Sequence, residues 1–175
     1  ESYNVASNLP YSAGSRIIIR LMKTARRARK LVLMVQKEVA DRMVAGPGSK
    51  RYGLLSIWVQ FYGIPKIVQV VPRRAFLPVP EVQSAIVEIT RRGAYPDVPD
   101  EDLYFGLVKA AFSSRRKILS NTFSGTGLGL SKGEWLDILA EAGVDPRARP
   151  EMMGVDDYAR LSWAVFGRGI KLKGD

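Results

Sequence analysis

The apolar segments of this chain change character at Arg91, and this change constrains the fold more than any other feature. Before Arg91, short strand-like apolar runs alternate with runs at helical spacing. Beyond the Pro/Gly/Asp-rich residues 93–99, only helical patterns remain. Alternating strands and helices are typical of an α/β sheet, whereas helices alone form a separate bundle. We therefore expect a piece of α/β sheet over residues 1–92, followed by a small all-helical domain over residues 93–175.

Apolar periodicity predicts the individual elements. In the first domain it predicts strand 5–8, helix 14–22, strand 31–35, helices 36–45 and 54–62, and a hairpin of strands 67–71 and 82–89. Because residues 31–35 are apolar at every position, we expect both faces of that strand to be covered. In the second domain it predicts helices 100–112, 115–123, 132–142 and 155–166. Ser131, with Glu134 three residues later, predicts a capping box at the start of the third of these helices.

The turn Asn8-Leu9-Pro10-Tyr11 follows the first predicted strand directly. Open α/β sheets bind their ligands at the carboxyl ends of strands. An amide with two hydrogen-bonding faces beside a flat ring fits a planar heterocycle that carries an amine. The alternative is a Pro-punctuated turn with a buried tyrosine, and the four residues alone do not decide between the two.

The chain contains neither cysteine nor histidine. This excludes a thiol nucleophile, a His-based triad and a zinc site with thiolate or imidazole ligands, and we expect no metal. No apolar run is long enough to span a membrane, and we expect a cytoplasmic protein. The run Gly125-Thr126-Gly127-Leu128-Gly129 follows a helical segment rather than a strand, so it predicts a helix-ending loop and not a phosphate cradle. The basic tail from residue 167 is expected to fray.

The net charge is +10, with 27 Lys and Arg against 17 acidic residues. Such an excess favours a polyanionic partner, because each cation placed on a phosphate releases counterions. The charge is concentrated in four clusters: Arg26-Arg27-Arg29-Lys30, Arg73-Arg74, Arg91-Arg92 and Arg115-Arg116-Lys117. The last cluster opens a predicted helix, where the helix dipole disfavours cations, so we interpret it as a phosphate contact. A solvated helix face is the alternative.

Three further segments join the Asn8 turn: residues 36–53, residues 71–85 with Phe76-Leu77-Pro78-Val79-Pro80, and residues 112–121 with the Arg115 cluster. Together and in this order they resemble the bacterial rRNA adenine dimethyltransferases, the kasugamycin-sensitivity methylase family. The resemblance implies the carboxyl part of a Rossmann-like class I methyltransferase sheet. It also implies S-adenosylmethionine-dependent dimethylation of two adjacent adenosines in the 3′-terminal hairpin of 16S rRNA. Immature 30S subunits are then the partner, with a role in ribosome biogenesis.

The resemblance also implies residue roles. Asn8, Leu9, Pro10 and Tyr11 match the catalytic motif, with Asn8 also contacting the cofactor. The Asn8 amide oxygen and a main-chain carbonyl at Leu9 or Pro10 accept the hydrogens of the adenine amine, so that its lone pair points at the methyl group. Tyr11 stacks on the flipped-out base and Phe76 forms a second wall. Helix residues Arg115, Arg116 and Lys117 contact RNA, as does Lys50.

The chain begins in the middle of this fold, and a Gly-rich turn with a following acidic residue for the cofactor is not found before Asn8. We therefore expect the N-terminal cofactor-binding half to be missing, this stretch alone to be inactive, and the strand before Asn8 to have an unpaired edge. Two alternatives stay open from the sequence: a 23S rRNA adenine methylase conferring macrolide resistance, and a non-enzymatic RNA-binding ribosome-assembly factor.

Overall fold

The computed structural model describes residues 1–125 and 129–170. It divides into two compact units. Unit 1 comprises Glu1–Gly46 and Arg51–Tyr95, and unit 2 comprises Pro47–Lys50 and Pro96–Asp175. Part of the predicted 125–129 loop, and the end of the tail that was expected to fray, lie outside the described residues. No helix within the described ranges is both long and apolar enough to cross a membrane.

Unit 1 is built on a four-stranded sheet in the order β1-β2-β4-β3. The strands are β1 Tyr3–Asn8, β2 Ala28–Gln36, β3 Gly63–Val71 and β4 Ser84–Arg91. β1 and β2 are parallel, and β4 runs antiparallel to both β2 and β3. The predicted hairpin is thus confirmed. So is the edge position of β1, which has β2 as its only neighbouring strand among those described.

Strand β2 alternates between buried and accessible positions. Leu31, Leu33 and Val35 are buried and lie opposite the buried Ile89, Val87 and Ala85 of β4. Between them, Val32 is 36% exposed. The prediction that both faces of this strand are covered is therefore wrong for the described residues. A continuous apolar run is compatible with a strand that is buried on one face and with a strand that is buried on both faces. The pattern alone therefore could not distinguish these two arrangements.

Three helices complete unit 1: α1 Gly14–Thr24, α2 Lys37–Val44 and α3 Leu54–Tyr62. α1 lies against the buried face of the sheet, since a side chain at Gly63 of β3 would meet both Ile89 and the Met22 methyl group of α1. α3 is mostly buried, which explains why its residues are apolar around most of the helix. A 3-10 turn, Arg73–Ala75, lies in the connection between β3 and β4.

Unit 2 contains α4 Glu101–Phe112, α5 Leu119–Ser124, α6 Lys132–Glu141 and α7 Val155–Gly167, with a 3-10 turn at Pro150–Met152. Its core includes Trp135 of α6 stacked on Phe123 of α5, both fully buried with ring centroids 4.6 Å apart. The capping box is confirmed. The Ser131 hydroxyl accepts from the Glu134 amide at 3.3 Å, and the Glu134 carboxylate accepts from the Ser131 amide at 2.8 Å.

The second predicted helix of unit 2 begins later than expected. Arg115, Arg116 and Lys117 lie in a turn that follows α4, and the extended backbone of Ile118 precedes α5. The prediction of a helix over residues 115–123 is therefore wrong at its amino end. The three cations therefore do not oppose a helix dipole. They lie just beyond the carboxyl end of α4, where the helix dipole favours positive charge.

Candidate functional site

The Asn8 turn lies at the carboxyl end of β1, where the sequence predicted it. Leu9 is buried, at 5% exposure, and its amide donates to the Met34 carbonyl of β2 at 3.1 Å. The Pro10 carbonyl accepts from the Ala13 amide at 3.3 Å, directly before α1 begins. Asn8 itself is exposed. The backbone of the turn is therefore anchored to the sheet on one side and to α1 on the other, with the Asn8 amide accessible between them.

Tyr11 is held at its far end. Its phenol oxygen lies 2.6 Å from the hydroxyl oxygen of Ser84, the first residue of β4. Ser84 is fully buried, whereas Tyr11 remains 38% exposed. The ring is thus fixed by its hydroxyl and still offers surface to a ligand. Ser84 is not among the residues predicted from the sequence. Its only signal was its position in the segment that follows Phe76 and the two prolines.

A shallow depression adjoins the turn. It is lined by Leu9, Pro10, Tyr11, Gly14, Val35, Gln36 and Val39. Gln36 is a polar group at this surface that the sequence did not predict as part of the site. Phe76 is half-buried after the 3-10 turn of the β3–β4 connection, and it is absent from this lining in the described part of the chain. Of the five predicted catalytic residues, Leu9, Pro10 and Tyr11 line this depression. Asn8 is exposed directly before it but is not part of the lining, and Phe76 is not part of it either.

The chemistry available at the turn is that of hydrogen bonding and stacking. An amide oxygen and main-chain carbonyls can accept the hydrogens of an amine, and a tyrosine ring can stack on a base. Within residues 1–125 and 129–170, no group of three or more acidic side chains could hold a metal ion. The arrangement suits alignment of a planar amine rather than proton abstraction by a strong base.

The candidate RNA contacts fall in unit 2. Arg116 and Lys117 are exposed in the turn after α4, and Lys50 is exposed in the loop at Pro47–Lys50. Arg115 differs, because its guanidinium is engaged within the unit. Nη2 donates to the carbonyl of Lys50 at 2.7 Å and to that of Ser49 at 3.5 Å, and Nε lies 3.9 Å from the Glu151 carboxylate.

Two arginines outside the predicted basic clusters lie beside this turn. The amides of Leu119 and Ser120, at the start of α5, donate to the carbonyls of Ala148 (2.9 Å) and Pro146 (3.2 Å). Arg147 and Arg149, both exposed, flank Ala148. Three separate segments of unit 2 therefore contribute exposed cations close to one another. Only contacts distant in sequence show this grouping.

The Arg91-Arg92 cluster has an internal role instead. Arg91 Nη2 donates to the carbonyls of Leu21 (3.2 Å) and Ala25 (2.9 Å) at the end of α1, and Arg92 Nε donates to the Gln60 carbonyl at 2.8 Å. Burial, the largest cause, lowers the pKa of Arg91 from its ordinary value. Charge clustering in the sequence did not distinguish these structural cations from exposed ones.

Comparison with known proteins gives concordant matches. A model of the family described as "Ribosomal RNA adenine dimethylase" matches residues 1–162. A ribosomal RNA small subunit methyltransferase A of Moorella thermoacetica is 44% identical over 162 residues, which cover 92% of this chain and 56% of that relative.

Two solved structures are similar. A dimethyladenosine transferase from Plasmodium falciparum superposes with a TM-score of 0.84 at 25% identity, covering 97% of this chain and 69% of that one. The 23S rRNA methyltransferase ErmE gives a TM-score of 0.68 at 21% identity, covering 95% and 66% respectively. The second likeness concerns the fold alone. The expectation of a partial class I methyltransferase sheet followed by helices is confirmed.

Proposed function

Because this chain belongs to the ribosomal RNA adenine dimethylase family, we propose that it carries the acceptor side of a site that dimethylates the exocyclic amines of two adjacent adenosines in rRNA. The proposed substrate is the 3′-terminal hairpin of 16S rRNA in the immature 30S subunit, and the proposed location is the cytoplasm. The observation that carries this proposal is an exposed Asn8 beside a half-exposed, hydroxyl-anchored Tyr11 at the carboxyl end of β1.

Asn8 aligns the amine in this proposal. The lone pair of an adenine amine is delocalised into the ring. When the Asn8 amide oxygen and the Leu9 or Pro10 carbonyl accept its two hydrogens, the nitrogen becomes more tetrahedral and its lone pair is available for transfer. The backbone bonds of Leu9 and Pro10 hold these carbonyls in place before the base arrives, so little reorganisation is needed. The proton leaves to water after transfer, which suits a chain without histidine.

S-adenosylmethionine supplies the electrophilic methyl group when it is bound. The exposed side-chain amide of Asn8 lies at the carboxyl end of β1, which is parallel to β2. Open α/β sheets bind their ligands where parallel strands end, so this position fits the methyl donor. Asn8 is the one residue of this chain that we assign to the donor. All other proposed roles concern the acceptor base and the RNA.

Tyr11 holds the base in this proposal. A base must leave its helical stack to be reached, and an exposed ring face can replace part of the lost stacking. The aliphatic surfaces of Leu9, Val35 and Val39 in the depression exclude water on one side of the base. Phe76 is proposed as a second wall that meets the base only in the RNA complex. Its half-buried position in a connecting segment leaves its ring accessible to such a ligand.

Unit 2 binds the RNA backbone in this proposal, through Lys50, Arg115, Arg116 and Lys117. The exposed Arg116 and Lys117 support direct phosphate contacts. Arg147 and Arg149 extend the same surface. Contacts of this kind orient the RNA without reading its sequence, so the choice of adenosines depends on the shape of the hairpin and on the depression beside Tyr11.

The proposal is tested by Asn8→Ala in the complete protein, with Asn4→Ala as the matched control. Asn4 is an exposed asparagine on the same strand. Methyl transfer to immature small subunits is measured, and primer extension on both rRNAs locates the modified positions. We expect Asn8→Ala to lose transfer while Asn4→Ala retains it, with modification confined to the 16S hairpin. Wild-type transfer by Asn8→Ala would refute the mechanism, and stops on 23S rRNA would refute the substrate.

A further inference from the structure

The contact between Tyr11 and Ser84 joins two parts of unit 1 that lie 73 residues apart. We propose that Ser84 is a positioning residue, which fixes the ring of Tyr11 in the orientation that the acceptor base requires. This inference rests on the proposed function, because it assigns Ser84 a role through the ring that we place against the base. Ser84 itself is fully buried and does not touch the base.

Ser84 is well suited to fix another side chain. Its backbone pairs with Gln36 of β2 on one side and with Val71 of β3 on the other, so it lies in the middle of three strands. The amide of Lys37 also donates to the carbonyl of Gln83 at 2.9 Å, which closes the sheet beside it. The Ser84 hydroxyl is therefore attached to a rigid part of the sheet. It holds the Tyr11 hydroxyl at a defined position relative to that sheet.

Tyr11 needs such a partner. The neighbouring Leu9 and Pro10 fix the backbone of the turn, but a tyrosine ring still rotates about its side-chain bonds when it is 38% exposed. The 2.6 Å contact with Ser84 fixes the far end of the ring. A ring held at both ends presents its free face in one orientation before the base arrives, and the bound base then lies at a defined distance from Asn8.

A phenylalanine at the position of Tyr11 would stack equally well, so the hydroxyl has a use beyond stacking. Because the hydroxyl of Tyr11 is bound to a buried serine rather than aimed at the depression, that use is orientation and not proton transfer to substrate. Loss of the hydrogen bond between Tyr11 and Ser84 therefore misaligns the base without removing the stacking surface. The effect falls on kcat more than on KM, since RNA affinity is dominated by phosphate contacts elsewhere.

A double-mutant cycle tests this inference in the complete protein. Ser84→Ala, Tyr11→Phe and the double variant are compared for methyl transfer to immature small subunits. Each single change is expected to lower kcat by about 5- to 10-fold, which is the equivalent of one intramolecular hydrogen bond. The double variant is expected to lose no more than either single variant, because both changes break the same contact. Additive losses, or a fully active Ser84→Ala, would overturn the inference.

Ser56→Ala is the matched control. Ser56 is likewise fully buried in unit 1, and its hydroxyl accepts from the Gly53 amide at 3.1 Å, but it lies in α3 and takes no part in the Asn8 turn. Melting temperatures of all variants separate stability from catalysis. We expect Ser56→Ala to lower the melting temperature with kcat unchanged. An equal loss of kcat in Ser56→Ala would show that Ser84 acts only through stability, and it would overturn the inference.

Tyr11→Ala distinguishes failure of this inference from failure of the proposed function. If Tyr11→Ala transfers methyl groups at the wild-type rate, the base site is assigned to the wrong place and the proposed function itself fails. If Tyr11→Ala is impaired while Ser84→Ala is not, the placement of the base at Tyr11 is supported. Only the positioning role of Ser84 is then refuted. Selective 13C labelling of tyrosine gives a readout without substrate. The Tyr11 ring signals are expected to shift and broaden in Ser84→Ala, and unchanged signals would overturn the inference.

Discussion

Substitution of Arg115 by alanine is expected to loosen the Pro47–Lys50 loop within unit 2. The Arg115 guanidinium donates to the carbonyls of Lys50 and Ser49, so it holds the loop by its backbone. A second bond, from the Gly48 amide to the Glu151 carbonyl at 2.7 Å, remains in the variant. The loop is therefore expected to open more often, and not to unfold completely.

The magnitude follows from the two bonds. The 2.7 Å contact with the Lys50 carbonyl is a charge-assisted hydrogen bond, and such bonds stabilise a fold by about 1.5–3 kcal/mol. The 3.5 Å contact with the Ser49 carbonyl is at the distance limit for a hydrogen bond, so no free energy is assigned to it. Because the Arg115 side chain is 42% exposed, competition with water reduces the contribution to about 1–2 kcal/mol. The open population of the loop then rises about 5- to 30-fold.

Limited proteolysis with trypsin measures this opening, because Lys50 is a cleavage site within the loop. When reclosing is faster than cleavage, the cleavage rate follows the open population. Cleavage after Lys50, followed by mass spectrometry, is expected to accelerate by about 5- to 30-fold in Arg115→Ala. Arg116→Ala removes the same charge from the neighbouring position and is expected to behave as the wild type. Equal cleavage rates in both variants would show that the Arg115 guanidinium does not hold the loop closed.

Three further outcomes are expected. Lys117→Ala should make the slope of log affinity against log salt shallower by about 0.7–0.9 for an rRNA hairpin fragment measured by fluorescence anisotropy; an unchanged slope would exclude a phosphate contact. Hydrogen bonds from Ser131 lower the pKa of Glu134 from 4.5, so its contribution to stability is present above pH 4.5 and is lost as the pH falls through the lowered value. The melting-temperature difference between wild type and Glu134→Gln should therefore disappear at low pH, and persistence there would contradict the assignment. Gly63→Ala places a methyl group 2.6 Å from the Ile89 side chain and should cost about 1–3 kcal/mol in urea unfolding, and a cost below about 0.5 kcal/mol would show that the sheet yields at this position.

The sequence was sufficient for the features that depend on neighbouring residues. The β1-turn-α1 unit that carries Asn8, helix α2 and the capping box at Ser131 were all predicted and are all present. Each of them is specified by residues no more than about one helical turn or one strand apart, whose periodicity and hydrogen bonding act locally.

The errors and omissions involve contacts between distant residues. Whether Val32 is covered depends on which helices pack on the sheet, and the apolar run contains no information about that. The turn at Arg115 is stabilised by a loop 65 residues earlier in the chain, which composition could not indicate. Arg91 and Arg116 are both members of basic clusters in the sequence, yet one caps a helix and the other faces solvent.

The class of fold, the family resemblance and the place of the Asn8 turn could therefore be predicted from the sequence, because they follow from local patterns and ordered motifs. Which side chains contact one another depends on how distant segments pack in the folded chain. The partnership of Tyr11 with Ser84 and that of Arg115 with the Lys50 loop each cross more than 60 residues of chain. Such contacts form when packing closes long loops, and no periodicity within a single segment encodes them.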